Sequence, residues 1–231
     1  MCESMKADSV PFQSLTSRAV VAVFVGHGYS WQNPNAHSHS LGPAPIPFPV
    51  MIQLARYTAQ GFDRGASRLK EVLWLAVKWG FFQTSVPWPS DVRCALLRAF
   101  GASVGNGVVI RGNVNISFPW RVSIGDDVWL GEEVMILSLA QVTIERNVCV
   151  SQRAFLCTGS HDHSKETFDL ITKPITLREG SWVAAMAFIG PGVEVGRGSR
   201  VAASAMVSRE VPPFVVVQGN PAAVVKELPN V

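Results

Sequence analysis

LREGSWVAAMAFIGPGVEVGRGSRVAASAMV, residues 177 to 207, puts an aliphatic side chain at every sixth position: Leu177, Val183, Ile189, Val195, Val201 and Val207. A helix repeats its faces about every 3.6 residues and a strand about every 2, so neither gives this period. A parallel β-helix with short flat faces does. Each face turns one aliphatic residue inward, and a tight turn leads to the next face. The same step runs upstream through Val104, Ile110 and Ile116, through Ile124, Leu130 and Ile136, and through Ile144, Val150 and Leu156. The residue four places after each aliphatic is small or β-branched at Val128, Val134, Ala140, Val148, Ala154, Ser160, Ser181, Ala187, Val193, Ser199 and Ala205. Gly or Ala often follows the aliphatic directly, as at Gly105, Gly125, Gly131, Ala184, Gly190, Gly196 and Ala202.

The breaks in the pattern are themselves regular. Ile116 to Ile124 and Ile136 to Ile144 each span 8 residues, so one corner of each coil carries two extra. Leu156 to Leu177 spans 21 (177 − 156), and there the same corner has grown by 13 (21 − 8). TGSHDHSKETFDL, residues 158 to 170, fills the gap and holds two of the chain's five histidines, His161 and His163. A long loop thrown from a passive coil is where function concentrates.

A solenoid leaves open ends that need caps. Residues 66 to 82 read as a helix with a broad apolar face of Leu69, Val72, Leu73, Leu75 and Ala76, against polar Arg68, Lys70 and Glu71. A second helix is expected from Asp91 as N-cap to Gly101 as stop. Both are expected to cap the first coil. Pro212 and Pro213 end the repeat, and a strand or turn followed by a short helix after Pro221 is expected in residues 212 to 231. The domain reading is therefore 1–50, a poorly ordered or non-native extension rich in Pro, Asn and Ser; 51–101, a helical cap; 102–211, the β-helix with loop 157–176; and 212–231, a tail. Met51 follows the extension as a second candidate translation start.

Composition narrows the function classes. Of 231 residues, 48% are hydrophobic and 16% charged, which describes a globular chain. The net charge of +3 is spread along the sequence and leaves no nucleic-acid footprint. Cys2, Cys94, Cys149 and Cys157 form no CxxC pattern and read as reduced thiols of a cytoplasmic protein. No apolar run is long enough to span a bilayer. The segment VLWLAVKWGFF, residues 72 to 82, could pack on its own domain, on a neighbouring subunit or on a membrane surface, which would put the protein at the membrane's inner face.

His161 closes the hexad that begins at Leu156, so its backbone is anchored to a rigid coil. Three roles compete for it. It could be a solvated loop residue. It could be a metal ligand, for which His161-x-His163 alone is too few donors; no metal is expected. It could be a general base, because an imidazole titrates near neutral pH and can take a proton from a hydroxyl.

The period-six repeat, the looped-out histidine and the ending VSREVPPFVVVQGNPAAVVKE resemble the hexapeptide-repeat acyltransferases, which form left-handed β-helices. FDRGASRLKEVLWLAV, LLRAFGASVGNGVVIR, LCTGSHDHS, DLITKPI and GNPAAVVKE are similar to the colanic acid biosynthesis O-acetyltransferase branch. The likeness covers about residues 54 to 228. It implies a mainly β chain with N-terminal helices and a short C-terminal helix, acting as a homotrimer with active sites between subunits. It implies acetyl-CoA as cosubstrate and a carbohydrate acceptor in exopolysaccharide synthesis. By the same resemblance His161 matches the general base and Asp169 the acid that orients it. Trp182, Ala185 and Ala203 fall along the pantetheine arm, and Ser208, Arg209 and Lys226 near the nucleotide end. Related enzymes carry an Asn near the acceptor, where this chain reads GEEVMILSLAQ with Glu132, Glu133 and Ser138. Two other functions stay open beside the transferase: an idle β-helix scaffold, and a metal-dependent hydratase of the γ-carbonic anhydrase type.

Overall fold

The computed structural model describes residues 50–58 and 61–230. The reading of residues 1–49 as an extension, and Cys2 with it, lies outside the described residues. From Ser103 onward the chain winds into a three-faced parallel β-helix. The first face stacks Ser103–Val104, Val122–Ile124, Val142–Ile144, Ile175–Leu177 and Glu194–Val195. The second begins at Val109–Ile110 and the third at Asn115–Ile116, each with one strand per coil.

The hexad positions make the core. All the in-register aliphatics from Ile110 to Val207 are buried, and Val104, at the open end, is half-buried. Ala140 and Ser160, which share the small position four places after an aliphatic, are not in the core. The corner extension displaces them. Val142 and Ile175 take that place, pairing in register with Val122 on the first face.

Each turn at two of the three corners holds one residue with positive φ, as a tight turn between faces requires. It falls three places after the inward aliphatic. Between the first and second faces this residue is Gly107, Asp127, Asn147, Gly180 or Gly198, types that tolerate the left-handed region. Between the second and third faces it is Asn113, Glu133, Arg153, Met186 or Ser204, so four residues there carry backbone strain. The glycine after the aliphatic has another reason. A Cβ at Gly125 would sit 2.6 Å from the backbone nitrogen of Arg146 in the next coil.

Two helices satisfy the first coil's open edge. Helix α1 (Arg68–Val77) starts at Ser67, whose hydroxyl accepts from the Lys70 N–H, and continues into a wider π turn, Lys78–Phe82. Helix α2 runs Ser90–Ala99 with Pro89 as N-cap, so Asp91 sits in its first turn. Ser90 is used sideways instead: its hydroxyl accepts from the Ile110 N–H. Arg93 donates to the Ile110 carbonyl, Arg98 to those of Val104 and Gly105, and the Trp74 indole to that of Ile116. Leaving these carbonyls unpaired would cost about 1–3 kcal/mol each where buried.

The opposite end corrects one expectation. No helix follows Pro221. Val215–Gly219 extends the second face, and Ala222–Glu227 returns antiparallel on it. The last coil exposes an unpaired strand edge, and pairing with it outweighs the helix propensity of Ala222, Ala223 and Lys226.

Candidate active site

The long loop leaves from the corner between the third and first faces. It is not irregular at its root. Gly159–His161 pairs antiparallel with Leu170–Thr172, so a short hairpin projects from the coil, with His161 opposite Leu170. Hydroxyls stacked between coils brace this corner. Ser138, fully buried, donates to the Phe118 carbonyl and accepts from the Phe118 N–H. Thr158, three residues before His161 and also fully buried, donates to the Leu137 carbonyl and accepts from the Ala140 N–H. Thr158→Val keeps the side chain's shape but strips the Ala140 N–H of this partner. The expected loss is about 1–3 kcal/mol of stability, measured by urea denaturation, with a lowered kcat because the hairpin root shifts.

His161 is half-buried and held on three sides. Its Nδ1 lies 2.8 Å from the Phe168 carbonyl oxygen. A carbonyl only accepts, so Nδ1 carries the proton of the neutral ring and the lone pair is left on Nε2. The Phe168 ring stacks on the imidazole at 4.3 Å with 1° between planes. Tyr57 meets it edge-on at 5.6 Å. Phe168 adopts φ +51, which turns both its carbonyl and its ring back to the histidine.

Two of the loop's carboxylates, Asp162 and Asp169, bond within the loop itself. Asp162 accepts from the hydroxyl and N–H of Ser164, and these bonds hold its carboxyl below the usual range. Asp169 is held below that range by Thr167 and by Lys165, whose Nζ is 2.9 Å from Oδ2. Depressed values mean that these ties are complete above the ordinary carboxylate range and weaken only as pH falls through the lowered values. The expected bond from the Asp169 side chain to His161 is replaced by the Phe168 carbonyl. His163 is exposed.

A groove of about 510 Å³ runs along the corner between the second and third faces. Ala184, Ala185, Ala202 and Ala203 line it, with Trp182, Ser151 and Arg200 beside them. The Trp182 indole donates to the Ser151 hydroxyl at 2.9 Å. The structure thus brings together Trp182, Ala185 and Ala203. Lys226 lies one strand away, opposite the groove residue Val216. Ser208 and Arg209 are exposed past the last third-face strand, outside the groove. Glu133 is engaged by Arg153, and Glu132 lies 3.8 Å from Arg111. Among the described residues no cluster of three or more His, Cys, Asp or Glu could hold a metal ion.

Comparison with known proteins decides the family. "Putative colanic acid biosynthesis acetyltransferase WcaF" of Escherichia coli K12 is 41% identical over 168 residues, covering 73% of this chain and 92% of that protein. The chain belongs to the hexapeptide-repeat acetyltransferases. Within them it falls in the colanic acid biosynthesis branch. No family model matches the chain. Galactoside O-acetyltransferase of E. coli K12 is 28% identical, over 64% of this chain and 74% of its own. Hexapeptide-repeat acetyltransferase VCA0836 from Vibrio cholerae, solved with acetyl coenzyme A, superposes with a TM-score of 0.65 at 26% identity. That match covers 76% of this chain and 97% of the Vibrio one. The fold of this acetyltransferase is the left-handed parallel β-helix.

Three residues of the candidate site, Tyr57, Phe168 and Arg200, were not among those expected from the sequence. Tyr57 comes from a distant segment and carries no local signal. Phe168 is an aromatic residue inside the loop, adjacent to the residue that was chosen. Arg200 was legible: it stands one coil beyond Trp182, in register with it.

Proposed function

We propose that this acetyltransferase uses acetyl-CoA to acetylate a sugar hydroxyl in exopolysaccharide assembly, with His161 as the general base. The observation that carries the reading is the hydrogen bond from His161 Nδ1 to the Phe168 carbonyl. It directs the basic lone pair to Nε2 on a ring that stacking prevents from turning. The groove fits the cosubstrate. Four alanines let a thin, flexible arm approach the backbone, and Arg200 supplies a cation suited to phosphate. Trp182, Ala185 and Ala203 would lie along the arm, with Lys226 toward the nucleotide end.

Acetyl-CoA supplies an acetyl thioester, whose carbonyl is open to attack by an oxygen nucleophile. His161 Nε2 takes the proton of the acceptor hydroxyl as that oxygen attacks, and then holds it for the departing thiol. The Phe168 carbonyl keeps its bond to the Nδ1–H throughout, so the ring stays oriented while Nε2 carries the proton. The groove and His161 lie on different corners of the β-helix, with the third face between them. This supports an active site made by the groove of one subunit and the loop of the next, in a homotrimer. A carbohydrate acceptor is supported by the names of the E. coli relatives.

The test is a panel of mono- and oligosaccharides incubated with acetyl-CoA and the purified protein. Free thiol release and an acetyl mass gain on the sugar are read together. Transfer to a hydroxyl, giving a base-labile ester, is the expected result. Transfer only to amino sugars as a base-stable amide, or no thiol release with any sugar, would overturn the assigned acceptor.

A further inference from the structure

Helix α1 is amphipathic in the wrong sense for a helix that packs on its own domain. Lys70 and Glu71 of the helix, and Lys78 just beyond it, face the protein, while Arg68 is exposed on the outer side. The Lys78 ammonium donates to Asn115 at 3.1 Å, Glu71 pairs with Arg64 at 2.6 Å, and Lys70 lies 5.1 Å over the Trp120 ring. Only Trp74 of the helix is buried. The apolar stripe points away: Leu69 is 69% exposed, Val72 61%, Leu73 51%, Leu75 55% and, in the π turn, Trp79 78%. At 100° per residue these positions and Ala76 fill one continuous arc. The apolar face expected to pack is therefore the outer face, and water is a poor partner for it.

A second exposed apolar run, Val50, Met51, Ile52 and Leu54, borders the active-site loop. The Gln53 N–H donates to the Glu166 carbonyl, and Arg56 pairs with the Glu166 carboxylate at 2.7 Å. Between the two runs, Arg121 ties the chain down by donating to the carbonyls of Asp63 and Leu139. Both runs thus flank the corner from which the His161 hairpin emerges. The charge of this region is also positive. Residues 50 to 101 hold seven Lys and Arg against three Asp and Glu; setting aside Arg93, which is buried, and Arg56, which Glu166 neutralises, leaves +2 (5 − 3), with Arg68 exposed on the apolar face itself.

We infer that the outer face of α1, with Trp79 at its end, docks this protein on an anionic phospholipid surface. An apolar strip with a large aromatic, set in a basic region, is the combination that lies flat in a headgroup layer. No helix among the described residues is long and apolar enough to cross a membrane, so the contact is with one leaflet. The positive balance of the region selects the anionic surface over a second copy of the same face, which would bring like charge against like. The inference stands on α1 and does not rest on the identity of the acceptor.

The test is flotation of the full chain with vesicles of phosphatidylcholine alone and of phosphatidylcholine mixed with phosphatidylglycerol. The wild-type protein should float with the mixed vesicles, and less so at high salt. The triple variant Leu69→Gln, Val72→Gln, Trp79→Gln should lose at least about ten-fold in partitioning. Its mass in solution and its affinity for acetyl-CoA should be unchanged, because these side chains touch neither the core nor the groove. Three results overturn the inference: no flotation of the wild type, equal flotation of the variant, or equal flotation with phosphatidylcholine alone. A fall in the variant's mass also overturns it, and would assign the face to contact between copies of this chain.

Discussion

His161→Ala is expected to lower kcat for acetyl transfer by about two to four orders of magnitude, while acetyl-CoA affinity by calorimetry stays within about two-fold. The two quantities separate because the imidazole and the alanine-lined groove are on different corners of the β-helix. Folding should survive as well. His161 is half-buried in a projecting hairpin, and none of the hexad core touches its role. Thermal unfolding and mass measured alongside should match the wild type. A variant that keeps near-normal turnover would remove the general base from the mechanism. A variant that loses acetyl-CoA binding as well would mean that the histidine contacts the cosubstrate and would recast its role.

The fold was legible because a β-helix writes its period into the chain. Each inward position demands an aliphatic, and each coil demands it at the same spacing, so Ile110 and Val207 obey one rule at opposite ends of the solenoid. The corner loop was legible as an interruption of that rule. What lay outside it was harder to read. The segment AAVVKE after Pro221 has no intrinsic reason to be a strand; the unpaired edge of the preceding coil makes it one. Helix α1 was found, but its orientation was not, since a helix's apolar face normally marks its buried side. In the candidate site, His161 was legible as the imidazole at the root of the loop. Its supports were not. A backbone carbonyl has no letter in the sequence, so the partner of Nδ1 was sought among carboxylates. Asp169 was chosen, and the group within hydrogen-bond distance of Nδ1 is the carbonyl of its neighbour Phe168.

Ala203→Phe fills the groove, and its expected defect is the complement of that of His161→Ala. Affinity for acetyl-CoA should fall about five- to 150-fold, since overpacking of about 1–3 kcal/mol converts to that range. Ala203 is exposed, so the coil should tolerate the ring. Mixing the two variants then tests the shared site. Suppose each site takes its histidine from one subunit and its groove from the next around a ring of three. In trimers assembled at random from equal amounts, a site is intact when the first subunit is the Ala203→Phe chain and the second is the His161→Ala chain. Each condition holds with a chance of about one half, so about a quarter of the wild-type rate should return. If instead one chain supplied both parts, every subunit would carry one defect and mixing would recover nothing. Co-expression of the two differently tagged chains, purification of the mixed trimers and one rate measurement at limiting acetyl-CoA separate these outcomes. The geometry favours recovery. The third face stands between the groove and the hairpin of the same chain, which is the arrangement expected if a neighbouring subunit presents the thioester to His161.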